Sequence, residues 1–159
     1  MNHMKIQFNT ILGDTVSLED YKGNVVMIVN VASECGNTPQ YADLEKLYQK
    51  YEDEGLVVIG FPSNSFNQEP GTDEQIYKFC TSKFDVTFPM MSKVSVKGED
   101  KHPLFVYLTE DNDMKGEIKW NFEKFILDKD GNLVARFATK VNPLDDEVVA
   151  VIEKELEAE

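Results

Sequence analysis

Two nearly unbroken apolar runs, residues 25–31 and 56–61, with a helical stretch between them, constrain this chain more than any other feature of its sequence. Val25-Val26-Met27-Ile28-Val29-Asn30-Val31 has no polar face to turn to water. It reads as a strand covered on both sides, as in a parallel or mixed sheet. Leu56-Val57-Val58-Ile59-Gly60-Phe61 reads the same way. Between the two runs, Tyr41, Leu44, Leu47, Tyr48 and Tyr51 recur at helical spacing. Thr38-Pro39 offers an N-cap and a first helical residue, and Gly55 ends the segment. Strand, helix, strand implies a right-handed βαβ crossover.

The rest of the chain extends this pattern. Residues 5–9 and 16–18 form a short entry hairpin around Gly13-Asp14. Thr72-Asp73-Glu74-Gln75 has the form of a capping box, opening a helix with Ile76, Phe79, Cys80 and Phe84 on its inner side. Residues 101–108 suit another short helix, with Pro103 in its first turn. Residues 125–127 and 133–137 flank a Gly-containing turn and read as a β-hairpin. Asn142-Pro143 caps a last helix through Leu144, Val148, Val151, Ile152 and Leu156. A βαβ unit followed by an antiparallel ββα unit is the thioredoxin order. The expected fold is α/β, with a central mixed β-sheet flanked by helices and a short N-terminal hairpin. The 159 residues amount to one such domain, 1–159.

Composition excludes several classes of function. Hydrophobic residues make up 42%, enough for an ordinary core. The net charge of −13 argues against nucleic-acid binding and against docking on anionic lipid, because both surfaces repel an acidic chain. No apolar run approaches the about 18 residues of a membrane span, and the first residues lack the apolar run of a signal peptide. No membrane insertion is expected, and the chain reads as cytoplasmic. Two cysteines, Cys35 and Cys80, are too few for a disulfide scaffold, and with only two histidines beside them no metal site is expected. The acidic turn at Asp128 puts Gly131 out of place for a calcium loop.

Cys35 lies past the carboxyl end of the first buried strand and before a helix, where sites in open α/β sheets collect. A thiol at a helix N-terminus has its ionised form favoured by the dipole and by free N–H donors. Its neighbours Glu34, Gly36 and Asn37 argue against burial in apolar surroundings. With no cation close in sequence, support for a thiolate must come from neutral donors on two loops, 62–71 and 119–122. On the residues alone, Trp120 is equally suited to core packing, and Asn64, Gln68 and Asn121 to turns. Cys80, by its helical spacing, is equally suited to a packed core.

Three stretches, residues 30–41 (NVASECGNTPQY), 60–71 (GFPSNSFNQEPG) and 119–125 (KWNFEKF), resemble the signature segments of the glutathione peroxidase family in order and spacing. The resemblance covers essentially the whole chain. It implies a thioredoxin fold and a peroxidase that reduces hydrogen peroxide and organic hydroperoxides through a sulfenic acid at Cys35. The family's catalytic tetrad falls on Cys35, Gln68, Trp120 and Asn121, whose donors would converge on the sulfur, and no cofactor is implied. The sequence departs from the commonest pattern at Asn64-Ser65-Phe66-Asn67, where Asn-Gln-Phe-Gly is usual, and at Glu34, where Lys is frequent.

The segment around Cys80 resembles the one that carries the resolving cysteine in thioredoxin-dependent members, which implies a Cys35–Cys80 disulfide recycled by thioredoxin. Glutathione is the alternative electron donor, and Glu34 has the wrong sign for that anionic thiol. A peroxide sensor passing its disulfide to a partner protein requires the same chemistry. A disulfide exchanger would carry Cys-x-x-Cys, whereas Thr38 stands third after Cys35. The short segment from Pro103 to Trp120 lacks the insertion of tetrameric members, so a monomer is implied. Because the two cysteines lie on separate elements, disulfide formation is expected to unwind the segment 79–84.

Overall fold

The computed structural model describes residues 2–158; Met1 and Glu159, the two ends of the single domain expected from the sequence, lie outside the described residues. The first apolar run is strand β3 (Val25–Val31), preceded by a separate hairpin of β1 (Gln7–Asn9) and β2 (Thr15–Ser17). Helix α1 (Gln40–Tyr51) and strand β4 (Leu56–Pro62) follow, then α2 (Asp73–Phe84) and α3 (Pro103–Thr109). Strands β5 (Lys124–Leu127) and β6 (Leu133–Phe137) and helix α4 (Asp146–Glu157) complete the order. The four-stranded sheet has the order β4-β3-β5-β6. β3 runs parallel to β4, pairing Val25 with Leu56, and antiparallel to β5, pairing Val26 with Leu127. The sheet is therefore mixed and β3 is central.

Alternation along β3 shows why that strand is apolar at every position but Asn30. Val25, Met27, Val29 and Val31 enter one core with α1, α2 and α4, whereas Val26 and Ile28 enter a second core with α3 and the N-terminal hairpin. Successive side chains point to opposite faces, and both faces are covered. Beyond β4, residues 89–91 close against its edge: Gly60 N–H donates to Pro89 O at 3.0 Å and Met91 N–H to Gly60 O at 2.9 Å. A Cβ on Gly60 would meet the Met90 sulfur at 2.7 Å, so only glycine admits that crossing.

Two boundaries differ from the sequence expectation. Helix α1 begins at Gln40, because the Thr38 hydroxyl accepts from the Cys35 N–H at 2.9 Å instead of capping the helix. Helix α4 begins at Asp146, since Asn142 Oδ1 accepts from Leu144 N–H in a turn that precedes the helix. The capping box at Thr72 does form, with Gln75 N–H donating to Thr72 Oγ1 at 3.2 Å. Among the described residues no helix is long and apolar enough to cross a membrane.

Candidate active site

The carboxyl end of β3 delivers Asn30, and the loop beyond it delivers Cys35. Asn30 is the one polar side chain in the strand and is fully buried. Its Nδ2 donates to Trp120 O at 3.1 Å, and its Oδ1 accepts from Glu123 N–H at 3.1 Å. Its backbone carbonyl accepts from Phe122 N–H at 2.6 Å. Asn30 thereby fixes the loop that carries Trp120 and Asn121 against the strand leading to Cys35. The strain of that loop sits at Phe122, whose φ of 67° is unfavourable for a bulky residue.

Thr38 shapes the Cys35 turn from the other side. Its hydroxyl donates to Ala32 O at 2.8 Å while accepting from Cys35 N–H. The third loop docks beside it: Glu34 N–H donates to Gln68 O at 3.0 Å, and Ser33 Oγ donates to the Glu69 carboxylate at 3.0 Å. Burial pushes the Glu69 carboxyl up from the ordinary carboxylate range, against the hydrogen bond from Ser33.

At the centre, Trp120 Nε1 donates to the Cys35 sulfur at 3.2 Å. The Asn37 backbone N–H approaches the same sulfur at 3.3 Å and its Nδ2 at 3.7 Å. All three are neutral donors. Trp120 remains 37% exposed and leans on Phe66, ring centroids 5.2 Å apart, so its indole is not core filling. Cys35 itself is only 7% exposed and packs with the apolar core. The polar sequence around it suggested otherwise; the loops folding over it supply the cover.

The structure does not bring every expected donor to the sulfur. Gln68 is half-buried and makes no side-chain hydrogen bond to Cys35; its carbonyl is used to anchor Glu34. Asn121 is fully buried, and among the described residues neither polar atom of its amide has a hydrogen-bond partner. Asn37 was missed by sequence reasoning because a backbone N–H leaves no mark on residue type. Asn30 left one signal, a lone amide inside an apolar run.

Cys80 is fully buried in α2, where desolvation pushes its thiol up to about 11. The nearby Glu69 charge acts in the same direction, and the Tyr41 hydroxyl acts in the opposite one. Both cysteines are free thiols.

Comparison with known proteins places this geometry in context. The family model described as glutathione peroxidase matches residues 4–109. Among curated relatives, the glutathione peroxidase homolog BsaA of Bacillus subtilis is 49% identical over 158 residues, covering 96% of this chain and 98% of the relative. The glutathione peroxidase-like peroxiredoxin 2 of Saccharomyces cerevisiae is 48% identical over 149 residues, covering 89% of this chain and 91% of its own. Among solved structures, the crystal structure of Trgpx in apo form superposes with a TM-score of 0.78 at 33% identity, over 99% of this chain and 97% of that one. A thioredoxin family thiol:disulfide interchange protein from Chlorobium tepidum superposes with a TM-score of 0.70 at 14% identity, over 94% of this chain and 92% of that one. That likeness shows the fold, which is thioredoxin-like.

Proposed function

We propose a mechanism for a chain that belongs to the glutathione peroxidase family and is accordingly a thiol peroxidase. The Cys35 thiolate attacks one peroxide oxygen, the O–O bond breaks, and the other oxygen leaves as an alcohol or water after taking a proton. Cys35 becomes a sulfenic acid. The observation that carries this reading is the pair of neutral donors on the Cys35 sulfur, Trp120 Nε1 at 3.2 Å and Asn37 N–H at 3.3 Å. Donors already in place stabilise the thiolate without further reorganisation of the site. Asn121 Nδ2, buried and without a partner among the described residues, is available to the departing oxygen, and Gln68, half-buried on the neighbouring loop, is a further amide donor.

In the second step Cys80 attacks the sulfenic acid at Cys35 and forms a disulfide. Thioredoxin then reduces it by thiol–disulfide exchange. Cys80 is fully buried within α2, so in this reading α2 opens toward its C-terminal end to bring the two sulfurs together. A disulfide requires Cα atoms about 4.4–6.8 Å apart. The chain acts as a monomer in the cytoplasm, where free thiols persist.

The test is peroxide turnover with thioredoxin, its reductase and NADPH, run beside glutathione with its own reductase. Turnover with thioredoxin that Cys80→Ser abolishes supports the two-cysteine reading. Turnover with glutathione alone overturns it and returns Cys80 to a packing role.

A further inference from the structure

A cavity of about 600 Å³ opens beside the active-site loops, lined by Asn64, Ser65, Lys93, Ser95, Lys97 and Asp100, and the mechanism above leaves it unused. Asn64 and Ser65 belong to the segment 62–71, which docks against the Cys35 turn through Gln68 O. The Ser65 hydroxyl accepts from Val96 N–H at 3.1 Å and so joins that segment to the one carrying Lys97. The volume is that of a small-ligand site.

Two aromatic rings connect this cavity to the reacting sulfur. Lys97 Nζ lies over the Phe66 ring, 5.3 Å from its centroid. Phe66 leans on Trp120 with centroids 5.2 Å apart, and Trp120 Nε1 stands 3.2 Å from the Cys35 sulfur. Phe66 is half-buried and Trp120 partly exposed, so the pair leaves apolar surface open to a ligand. A cation stands at the far end. Lys97 is exposed and, among the described residues, pairs with no carboxylate. The other charged groups of the cavity have partners: Lys93 Nζ donates to Glu69 O at 3.3 Å and to Gly71 O at 2.7 Å, and Asp100 accepts from Ser95 Oγ at 2.9 Å. Asn64 Oδ1 accepts from Glu69 N–H at 2.9 Å, which leaves the Nδ2 of the same amide as a neutral donor. In a chain of net charge −13, an unpaired ammonium at the end of an apolar path is a local place for an anion that most of the surface repels.

We propose that this cavity is a subsite for the carboxylate of an anionic organic hydroperoxide, with Lys97 as the residue that selects it. The carboxylate pairs with the Lys97 ammonium, the carbon chain crosses Phe66 and Trp120, and the peroxide group reaches the Cys35 sulfur. Lys97 thereby prefers a hydroperoxide whose negative group is separated from the peroxide by an apolar chain long enough to cross both rings. A neutral ester of the same chain keeps the ring contacts and loses the ion pair. Hydrogen peroxide uses neither. This rests on Cys35 being the peroxide-attacking thiol, and the bond changes at Cys35 are those already described.

The test measures single-turnover rates of Cys35 oxidation with three probes: linoleic acid hydroperoxide, its methyl ester and hydrogen peroxide, the first two below their aggregation concentrations. Wild type is compared with Lys97→Met, which keeps an unbranched chain over Phe66 and removes only the charge, and with Lys97→Arg, which restores it. The ratio of acid rate to ester rate should fall about two- to fivefold in Lys97→Met, the size of one exposed ion pair, and Lys97→Arg should keep the wild-type ratio. Because the ratio is compared between variants, the different solubilities of the two probes cancel. Hydrogen peroxide should oxidise all three proteins at one rate. An unchanged acid-to-ester ratio in Lys97→Met would overturn the proposal. So would equal slowing with all three probes, which would mean that Lys97 acts only through the Phe66–Trp120 stack. Loss of turnover with glutathione in Lys97→Met at an unchanged ratio would place the bound carboxylate on the reducing thiol, and that too would overturn it. Failure of hydrogen peroxide to oxidise Cys35 in wild type would instead remove the thiol assignment itself, and this subsite with it.

Discussion

The indole N–H of Trp120 stands 3.2 Å from the Cys35 sulfur, while the same side chain leaves 37% of its surface to solvent. A tryptophan serving only the core would be covered, and a tryptophan serving only the surface would not spend its N–H on a buried sulfur. The pairing joins two loops 85 positions apart in the chain.

Trp120→Phe keeps the ring against Phe66 and deletes the donor. Loss of one donor of an oxyanion-type site costs about 2.7–4 kcal/mol, or about a hundred- to a thousandfold in rate. The rate of Cys35 oxidation, measured by quench and mass spectrometry, should fall by that order. A rate equal to wild type would assign Trp120 to packing.

Asn37 contributes mainly through its backbone, since its N–H is nearer the sulfur than its amide Nδ2, 3.3 against 3.7 Å. Asn37→Ala should therefore oxidise within about threefold of wild type, the size of a change of roughly 0.5 kcal/mol. A hundredfold loss in stopped-flow kinetics would move the burden to the side chain.

Asn30→Val leaves the Trp120 carbonyl and the Glu123 N–H without their buried partner. At about 1–3 kcal/mol for each of the two unsatisfied groups, the variant should lose roughly 2–6 kcal/mol in urea denaturation. It should also oxidise slowly, because the Trp120 loop loses its anchor. Wild-type stability would show that the amide is dispensable.

How much of this was legible in the sequence depends on what kind of signal each feature leaves. The apolar runs of β3 and β4, the spacing of Tyr41 to Tyr51 and the Thr72 capping box are patterns of side chains, and periodicity reads them directly. The start of α4 was misplaced because Asn142-Pro143 looks like a cap but is used in a turn. The crossing of residues 89–91 over Gly60 depends on a shape match with Met90 that no local pattern encodes. The Asn37 N–H is backbone, and backbone donors carry no residue signature. The cover over Cys35 comes with two distant loops, those of Gln68 and Trp120, so a polar neighbourhood in sequence became a buried one in space.

Glu69 gives a pH-dependent test of stability. Burial raises its folded carboxyl above the ordinary carboxylate range, so the folded state holds the proton more tightly than the unfolded one. Between the two values the unfolded chain has the lower proton occupancy, and stability falls as pH rises through that window. At neutral pH the buried charge is then a cost, with Ser33 and Lys93 offsetting part of it. Glu69→Gln can still accept from Ser33 and should melt higher than wild type at pH 7. Acidification below the ordinary carboxylate range should remove the difference. A variant less stable than wild type at pH 7 would mean that the charge itself is stabilising.

The most direct measurement is dimedone trapping in Cys80→Ser after one equivalent of hydrogen peroxide, read by peptide mass spectrometry. With no thiol at position 80 to resolve it, the sulfenic acid should accumulate. One adduct should appear, on Cys35, and Cys35→Ser should neither form it nor consume peroxide. Peroxide consumption by Cys35→Ser at a substantial fraction of the wild-type rate would contradict the assignment of Cys35 as the nucleophile.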